Sequence, residues 1–448
     1  MFLDRRGLPV TAANTEAVAH LDATVDAYLG FRSDTSEHLK RALAADPEMA
    51  LALCTRGYFL KLFATRALDA RAAAACAAAK ASLARRGSTP REHRHVEALA
   101  AWCRGEQALC AEILDVLLGD DPLDPLAIRV GHFHDFYSGD AALMRSRMAA
   151  VLPAWSEDVP GYGYVLGCQA FALEESGAYE EAERTGRAAL ERHPTDIWAT
   201  HAVAHVMEMQ DRAREGAAFL SGLRPHWDGI NPFVHHVFWH QALFHLELGE
   251  HDAVLALYDE QVQAPGSQDG LDMANAASLL WRLDEEGVAV GERWSELADR
   301  ADARRGDHSL AFVDVHAVMA LAGAGRLDRA ALYLDSLATA ARGVGDQADV
   351  LRAVGLELGH AVLDARRGRH RLAARRLDGI AAHLTRIGGS HAQRDVFQRL
   401  RIVEHLRAGD TRSGAALLER RRADRPGNVW AQHLTYALAG ETGATATR

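Results

Sequence analysis

Hydrophobic residues recur along this chain mainly at the spacing i, i+3, i+4, which places them on one face of a helix. Segments that alternate apolar and polar residues, the mark of a half-buried strand, are nearly absent. The helical stretches are rich in Ala, Leu, Arg and Glu, which favour helices. The pattern therefore predicts an all-α protein.

Residues 163–194 indicate how the helices are paired. An apolar helical stretch ends before Gly177, a second helix begins at Tyr179 with Ala182 three residues later, and Pro194 closes the segment. A glycine before an aromatic residue, small residues where two helices approach, and a closing proline are typical of a tetratricopeptide repeat (TPR), a helical hairpin of about 34 residues. We therefore predict that the chain is built from TPR-like hairpins.

Glycines separate the other predicted helices, at intervals of about one or two repeats in the first half and at looser intervals in the second half, where we expect longer hairpins. No change in composition marks a domain boundary. We therefore predict a single α-solenoid over residues 1–439, whose concave groove is lined by the first helix of each hairpin. Residues 440–448 are predicted to be a disordered tail. The separating glycines are Gly105, Gly139, Gly177, Gly249, Gly325, Gly368 and Gly409.

Composition narrows the classes of partner. The 448 residues carry a formal net charge of −11, which argues against a nucleic acid or an anionic membrane surface as the main partner. The five cysteines are odd in number and never form C-x-x-C, so we expect a reducing compartment and predict a cytoplasmic protein. No stretch of about eighteen apolar residues indicates a membrane span. The sequence leaves open whether the chain forms a homo-oligomer.

Two predicted helices carry histidines one turn apart. His201 and His205 share a helix face with Glu208, and His236 and His240 repeat the spacing on a second helix. Imidazole nitrogens and a carboxylate oxygen could together bind Zn, Fe or Mn. The same residues could instead be metal-free acid/base or hydrogen-bonding groups, or a structural polar network. Spacing alone leaves these three alternatives open.

Other polar residues also fall on predicted first helices. His132 precedes Gly139, and Asp314 and His316 precede Gly325. Residues two apart lie about 200° apart around a helix, so Asp314 and His316 cannot both face the groove. We expect His316 to face it and Asp314 to support it from behind.

A further helix start is predicted late in the chain. Ser390, after two glycines, is a natural N-cap, and Gln393 stands where its capping-box partner belongs. Capping does not explain Arg394, because a positive charge is mildly unfavourable near a helix N-terminus. We expect Arg394 either to anchor a carboxylate or phosphate in the groove, or to pair with Asp314 or Glu208.

Several of these motifs together resemble a known family. They are the segment 201–209, His236 with Trp239 and His240, the residues 248–250, Asp314 with His316, and the segment 388–397. Over nearly the whole chain the sequence is similar to a bacterial member of the tetratricopeptide repeat protein 38 family. The resemblance implies the solenoid and a shared groove, and it implies no particular activity.

Two functions fit these patterns. The one favoured by the sequence is binding of a small polar, anionic metabolite in the groove by an enzyme that uses acid/base or metal-assisted hydrolase or lyase chemistry. The alternative is a non-catalytic TPR scaffold that binds a peptide or partner protein in the groove. Catalytic roles are assigned to His205, Glu208, His240 and His316. Binding roles are assigned to His132, His201, His236, Trp239, Asp314, Arg394 and Asp395. The predicted metal ligands are His201, His205, Glu208, His236 and His240.

Overall fold

The computed structural model describes residues 1–264 and 266–445, and this part of the chain is almost entirely helical. Two short strands near its start, β1 (Phe2–Leu3) and β2 (Pro9–Val10), pair in an antiparallel manner. The prediction of an all-α fold is confirmed.

The helices follow one another as antiparallel hairpins. The first group is α1 (Thr15–Leu29), α2 (Thr35–Ala45), α3 (Ala50–Leu62), α4 (Asp69–Arg86), α5 (Pro90–Cys103), α6 (Gln107–Asp120), α7 (Pro125–Ser138) and α8 (Ala141–Val151). The second group is α9 (Tyr162–Glu175), α10 (Tyr179–Arg192), α11 (Ile197–Met209), α12 (Ala213–Leu223), α13 (Phe233–Glu247), α14 (His251–Leu257), α15 (Gly270–Glu285) and α16 (Arg293–Ala303). The third group is α17 (Ala311–Gly323), α18 (Leu327–Ala340), α19 (Asp346–Val350), α20 (Leu356–Arg366), α21 (His370–Ile380), α22 (His391–Arg407), α23 (Thr411–Asp424) and α24 (Val429–Thr445).

Local signals explain where these helices begin and end. Thr89 forms a capping box with Glu92 at the start of α5, and the Asp196 carboxylate caps α11 by accepting from two backbone N–H groups. All seven predicted separator glycines lie between paired helices with φ between 71° and 84°. Left-handed glycine is a common way to end a helix, and the predicted punctuation of the hairpins is confirmed.

The first helices of successive hairpins pack side by side and form the interior of the solenoid. In the order α9, α11, α13, α15, α17 and α20, each contacts the next. In α11 every residue from Ile197 to Met207 is buried, whereas the outer helix α10 buries only one stripe. Polar side chains on the inner helices are therefore enclosed by protein, and they need partners within it.

The solenoid closes on itself. The backbone N–H of Asp346 donates to the carbonyl of Gly105 at 3.1 Å, and the Thr65 hydroxyl donates to Asp307 at 2.7 Å. Helix α22 lies against the concave face, where it contacts α11 and α15. The concave face predicted from the repeats is present, but the chain's own helix covers it beside the histidines.

Two glycines before α22 allow this approach. Gly388 and Gly389 have φ of 82° and 76°. A Cβ at Gly388 would lie 2.8 Å from the carbonyl oxygen of Tyr137, and one at Gly389 would lie 2.6 Å from the ring of Phe312. Both conformation and space therefore require glycine at these positions.

Helix α24 continues to Thr445 and so enters the stretch 440–448 that the sequence predicts as a tail. Residues 446–448 lie outside the described residues, so the extent of the tail stays a prediction. No helix in the described part of the chain combines the length and the apolar character needed to cross a membrane.

Candidate functional site

Four histidines from two inner helices converge between α11 and α13. One nitrogen from each of His201, His205, His236 and His240 lies within 4.8 Å of all the others, and all four side chains are buried. The Nε2 atom of His236 is 3.0 Å from Nε2 of His201 and 3.3 Å from Nε2 of His240. The structure thus brings together the four histidines that the sequence assigned to one site. We call them the four-histidine centre.

The hydrogen bond of His240 fixes which of its nitrogens carries the proton. Its Nδ1 lies 2.9 Å from Oε2 of Glu208. Burial raises the pKa of Glu208, but in its ionised form the carboxylate can only accept. In that form Nδ1 donates its N–H and Nε2 presents a lone pair to the centre. Glu208 was predicted to be a metal ligand, but among the described residues the converging set does not include it. It instead holds the ring of His240 from the far side.

The tautomer of His236 is fixed by a chain of bonds that starts at helix α22. The backbone N–H of Ser390 donates to Oε1 of Gln393 at 3.0 Å, which completes the predicted capping box. The amide nitrogen of Gln393 therefore faces Asn275 and donates to its Oδ1 at 3.4 Å. That same oxygen accepts from Nδ1 of His236 at 3.2 Å, so Nε2 of His236 also presents a lone pair to the centre.

Two lone pairs consequently face each other 3.3 Å apart, and only a proton or a cation between them relieves the repulsion. His201 can donate to one of them at most. Burial, together with neighbouring charged or titrating groups, holds the pKa values of His201, His236 and His240 well below the usual range, so these rings are neutral. Neutral imidazole is the form that binds metal ions. Four nitrogens around a tetrahedral zinc ion lie about 3.3 Å apart, given Zn–N distances of about 2.0–2.1 Å.

Sequence reasoning missed three residues that support the centre. Glu174 and Glu175 end α9 and face His205, whose Nδ1 lies 3.4 Å from Glu174 and 3.9 Å from Glu175. Asn275 comes from α15 and orients His236. Two adjacent carboxylates at the end of an apolar inner helix are a signal that could have identified the glutamates. A single asparagine on α15 carries no such signal.

Arg394 and Asp395 point to partners other than those expected. The Nη2 atom of Arg394 lies 3.6 Å from Glu175, and its Nη1 donates to the carbonyl of Gly389. Its carboxylate partner is thus Glu175, and neither Asp314 nor Glu208 fills that role. Asp395 accepts two hydrogen bonds from Arg421 on α23, which joins α22 to the following helix.

Asp314 and His316 diverge as the helical geometry predicts. Asp314 accepts from His308 at 2.9 Å and from the hydroxyl of Tyr333 at 2.8 Å. His316 donates from Nδ1 to the carbonyl of Phe312 at 2.8 Å and contacts the ring of Phe397 on α22. His316 therefore faces the concave side, but among the described residues it is not part of the four-histidine centre.

Trp239 forms a wall of the centre. Its ring stacks on His236 at 14° with 5.4 Å between ring centroids, and its Nε1 donates to the hydroxyl of Ser278 at 3.1 Å. The guanidinium of Arg282 lies over the ring at 5.6 Å. Trp239 is fully buried, so it excludes water from the histidines and has no face free for a ligand.

His132 lies away from the centre, in an aromatic cage. The rings of Phe171, Trp198 and Phe133 surround it, and neither of its nitrogens has a hydrogen-bond partner. Burial, with a smaller effect from Arg129, lowers the pKa of His132 to about 3. His132, which the sequence assigned to ligand binding, is buried and neutral in the fold, and its binding role stays a prediction.

A test follows from this pKa. The folded pKa of His132 lies below the unfolded value of about 6.5, so its ring protonates first in the unfolded chain and stability falls as the pH drops below about 6.5. His132→Phe should remove about 2 kcal/mol of the stability lost between pH 7 and pH 5, as measured by urea unfolding. The exposed His433→Phe is the control. An unchanged loss in His132→Phe would contradict the assigned neutrality.

The space beside the centre is small. A cavity lined by Glu208, Arg282 and Asp395 has a volume of about 30 Å³. That is enough for about two water molecules, whereas ligand pockets usually measure about 300–1,000 Å³. In this conformation the cavity at Glu208 has room for water or an ion, but not for a metabolite.

Comparisons with known proteins add little to this geometry. No family model matches the chain. It is similar in structure to yeast Tom70, with 14% identity over 97% of this chain and 90% of Tom70 and a TM-score of 0.34. It is also similar to the structure of Naa15/Naa10 bound to HypK-THB, with 11% identity over 93% of this chain and a TM-score of 0.26. The chain spans 64% of that second protein. With TM-scores below 0.5, neither structure informs its function.

Proposed function

We propose that this protein is a TPR-like binding protein whose four-histidine centre holds a divalent transition-metal ion, zinc being the best fit. The single observation that carries the proposal is the convergence of lone pairs from His236 and His240, each fixed by an acceptor on the far side of its ring. Acceptors behind ligating histidines are the usual support of a protein metal site. Four protein ligands that leave no open coordination position are typical of a structural ion.

A metal ion would also satisfy polar atoms that are otherwise isolated. Both nitrogens of His205 are buried without a hydrogen-bond partner. Each such atom costs about 1–3 kcal/mol when nothing compensates it. An ion bound by one nitrogen of each ring would offset part of that cost and hold α11 against α13.

The proposal favours binding over turnover. A hydrolase or lyase acting on an anionic metabolite needs an open ligand position and room for the substrate, and the cavity at Glu208 measures about 30 Å³. Such chemistry would require α22 to leave the concave face. Arg394, the expected anchor for the metabolite, is engaged with Glu175.

We also propose membership of the tetratricopeptide repeat protein 38 family, as the sequence motifs imply. The support is spatial. The segment that begins at His201, the pair His236 and His240, and the late segment containing Gln393 come from three separate helices and meet at one centre. Motifs that converge in this way are expected to serve one function.

The test is elemental analysis of tag-free protein supplied with one equivalent of zinc and then desalted. We expect about one zinc per chain in the wild type and less than about a tenth of that in His240→Ala. The variant keeps three of the four ligands and loses the ring that Glu208 orients, so it should bind zinc weakly. His316→Ala removes a buried histidine outside the centre and should retain the zinc. A wild type that keeps no zinc would refute the proposal.

A scaffold function is the second candidate, and one observation favours it. The concave face already holds a helix, α22, through the Gln393 amide and the Arg394 guanidinium. A surface that binds its own helix has the shape to bind a partner's helix. Such a partner would have to displace α22, so full-length protein bound to it should show faster amide exchange in α22.

A further inference from the structure

Glu174, Glu175 and His205 form a second cluster of metal-ligand types next to the four-histidine centre. One ligand atom from each lies within 4.8 Å of the other two, and all three residues are buried. His205 belongs to both groups. The two clusters therefore meet at a single imidazole ring.

The polar atoms of this cluster lack partners. Neither oxygen of Glu174 and neither nitrogen of His205 makes a hydrogen bond, although both side chains are fully buried. Glu175 is better supplied, because it accepts from the backbone N–H of His391 at 3.1 Å and lies 3.6 Å from Arg394. The unsatisfied groups are thus the oxygens of Glu174 and the ring of His205, and they face each other.

The charges of the cluster are also unbalanced. Arg394 supplies one positive charge, and it lies on the Glu175 side, 3.6 Å from that carboxylate. Two buried carboxylates against one guanidinium leave the oxygens of Glu174 without a compensating positive charge. A divalent ion would supply the missing charge and bind the free oxygens at once.

We infer that Glu174, Glu175 and His205 bind a second divalent metal ion, and that His205 bridges it to the ion in the four-histidine centre. This inference rests on the proposed function. The two nitrogens of an imidazole point away from each other, so Nδ1 can face the glutamates while Nε2 faces the other histidines. Bridging requires both nitrogens to be ligands, so His205 loses its N–H proton to solvent when the second ion binds.

The two positions should prefer different metals. The four-histidine centre offers only nitrogen donors, which suit zinc. The second position offers carboxylate oxygens with one nitrogen, a set that also suits manganese and iron. Because zinc binds more tightly than manganese to a given set of ligands, protein holding one zinc should accept manganese at the second position without losing the zinc.

The experiment uses full-length, tag-free protein loaded with one equivalent of zinc and then titrated with Mn²⁺. Electron paramagnetic resonance follows the loss of the free Mn²⁺ signal, and elemental analysis counts both metals. We expect one Mn²⁺ per chain in the wild type. Glu174→Gln, which keeps the shape and removes the charge, should retain zinc and bind Mn²⁺ at least ten-fold more weakly. Glu285→Gln, a buried glutamate of α15 outside both clusters, should bind both metals as the wild type does.

The outcomes separate the inference from the proposal on which it rests. If zinc is retained but no Mn²⁺ binds, or if Glu174→Gln binds it unchanged, the second position is overturned while the four-histidine centre stands. If the wild type retains no zinc, the proposed function fails. If Mn²⁺ then binds without zinc, the claim that His205 bridges two ions is overturned. If Glu174→Gln does not fold, the zinc content of wild-type protein in excess zinc decides the question. Two zinc ions per chain would support the second position, and one would overturn it.

Discussion

Replacing Asp395 with asparagine is expected to destabilise the protein by about 3 kcal/mol at pH 7, the lower end of the usual effect of breaking a buried ion pair, because its side chain is 14% exposed and that of Arg421 is 8% exposed. Asp395 receives two hydrogen bonds from Arg421, which in turn donates from Nε to Asn428 at 2.8 Å and stacks over Trp430. The carboxylate thus joins α22 to α23 and α24. Without the negative charge of Asp395, no carboxylate at this position balances the positive charges of Arg421, Arg425 and Arg282.

The sign of the pH dependence supports the same assignment. Although burial acts to raise it, the pKa of Asp395 lies far below its usual value because Arg421, Arg425 and Arg282 outweigh burial. A folded pKa below the unfolded value means that this stability is present above pH of about 4 and is lost as the pH falls through the folded value. The free energy of unfolding of Asp395→Asn should therefore fall less than that of the wild type as the pH drops below about 4.

Urea unfolding at pH 7 and pH 3 measures both effects. Asp378→Asn is the matched control, because Asp378 also pairs with an arginine of α22, Arg401, but is 40% exposed. An exposed pair contributes about 0–1 kcal/mol, so the control should differ little from the wild type. If the two variants lose equal stability, Asp395 is not the junction of the last three helices.

The sequence predicted the hairpins because their signals are local. Gly177 followed by Tyr179, and a proline at the end of the unit, act within one turn of chain, and all seven separators have the expected left-handed conformation. The pairing of His201 with His205 and of His236 with His240 was predictable for a similar reason. Residues four apart share a helix face, and first helices of adjacent repeats lie side by side.

What the sequence did not predict depends on contacts between distant repeats. Helix α22 is held against the concave face by bonds such as that from the backbone N–H of His391 to Glu175, two residues that lie 216 positions apart. No local periodicity encodes such a closure. Glu208 lies outside the converging histidines for a geometric reason: its position one turn after His205 directs it past the centre, to the far side of the His240 ring. Its catalytic role stays a prediction.

Zinc should stabilise the protein by about 4 kcal/mol when the free ion is about 1,000-fold above its dissociation constant. With an unfolding entropy of about 2.1 cal/mol/K per residue over 448 residues, this corresponds to a rise of about 4 °C in Tm. Differential scanning calorimetry of chelated and zinc-loaded protein measures the shift. His236→Ala should abolish it, because that variant loses both a ligand and the bond to Asn275. His316→Ala should keep it.

Amide hydrogen exchange on the same chelated and zinc-loaded samples tests whether the metal holds α22 in place. Zinc bound at the four-histidine centre would fix the ring of His236, whose Nδ1 reaches α22 through Asn275 and Gln393. Backbone amides of α22 should therefore exchange with solvent more slowly in zinc-loaded protein than in chelated protein, while those of α2, which lies outside this chain of bonds, should not change. A zinc-dependent Tm with no slowing in α22 would mean that the ion stabilises α11 and α13 alone. The bonding pattern predicts that zinc slows amide exchange in α22 as well as in α11 and α13. It also predicts that Gln393→Leu removes this slowing from α22 alone.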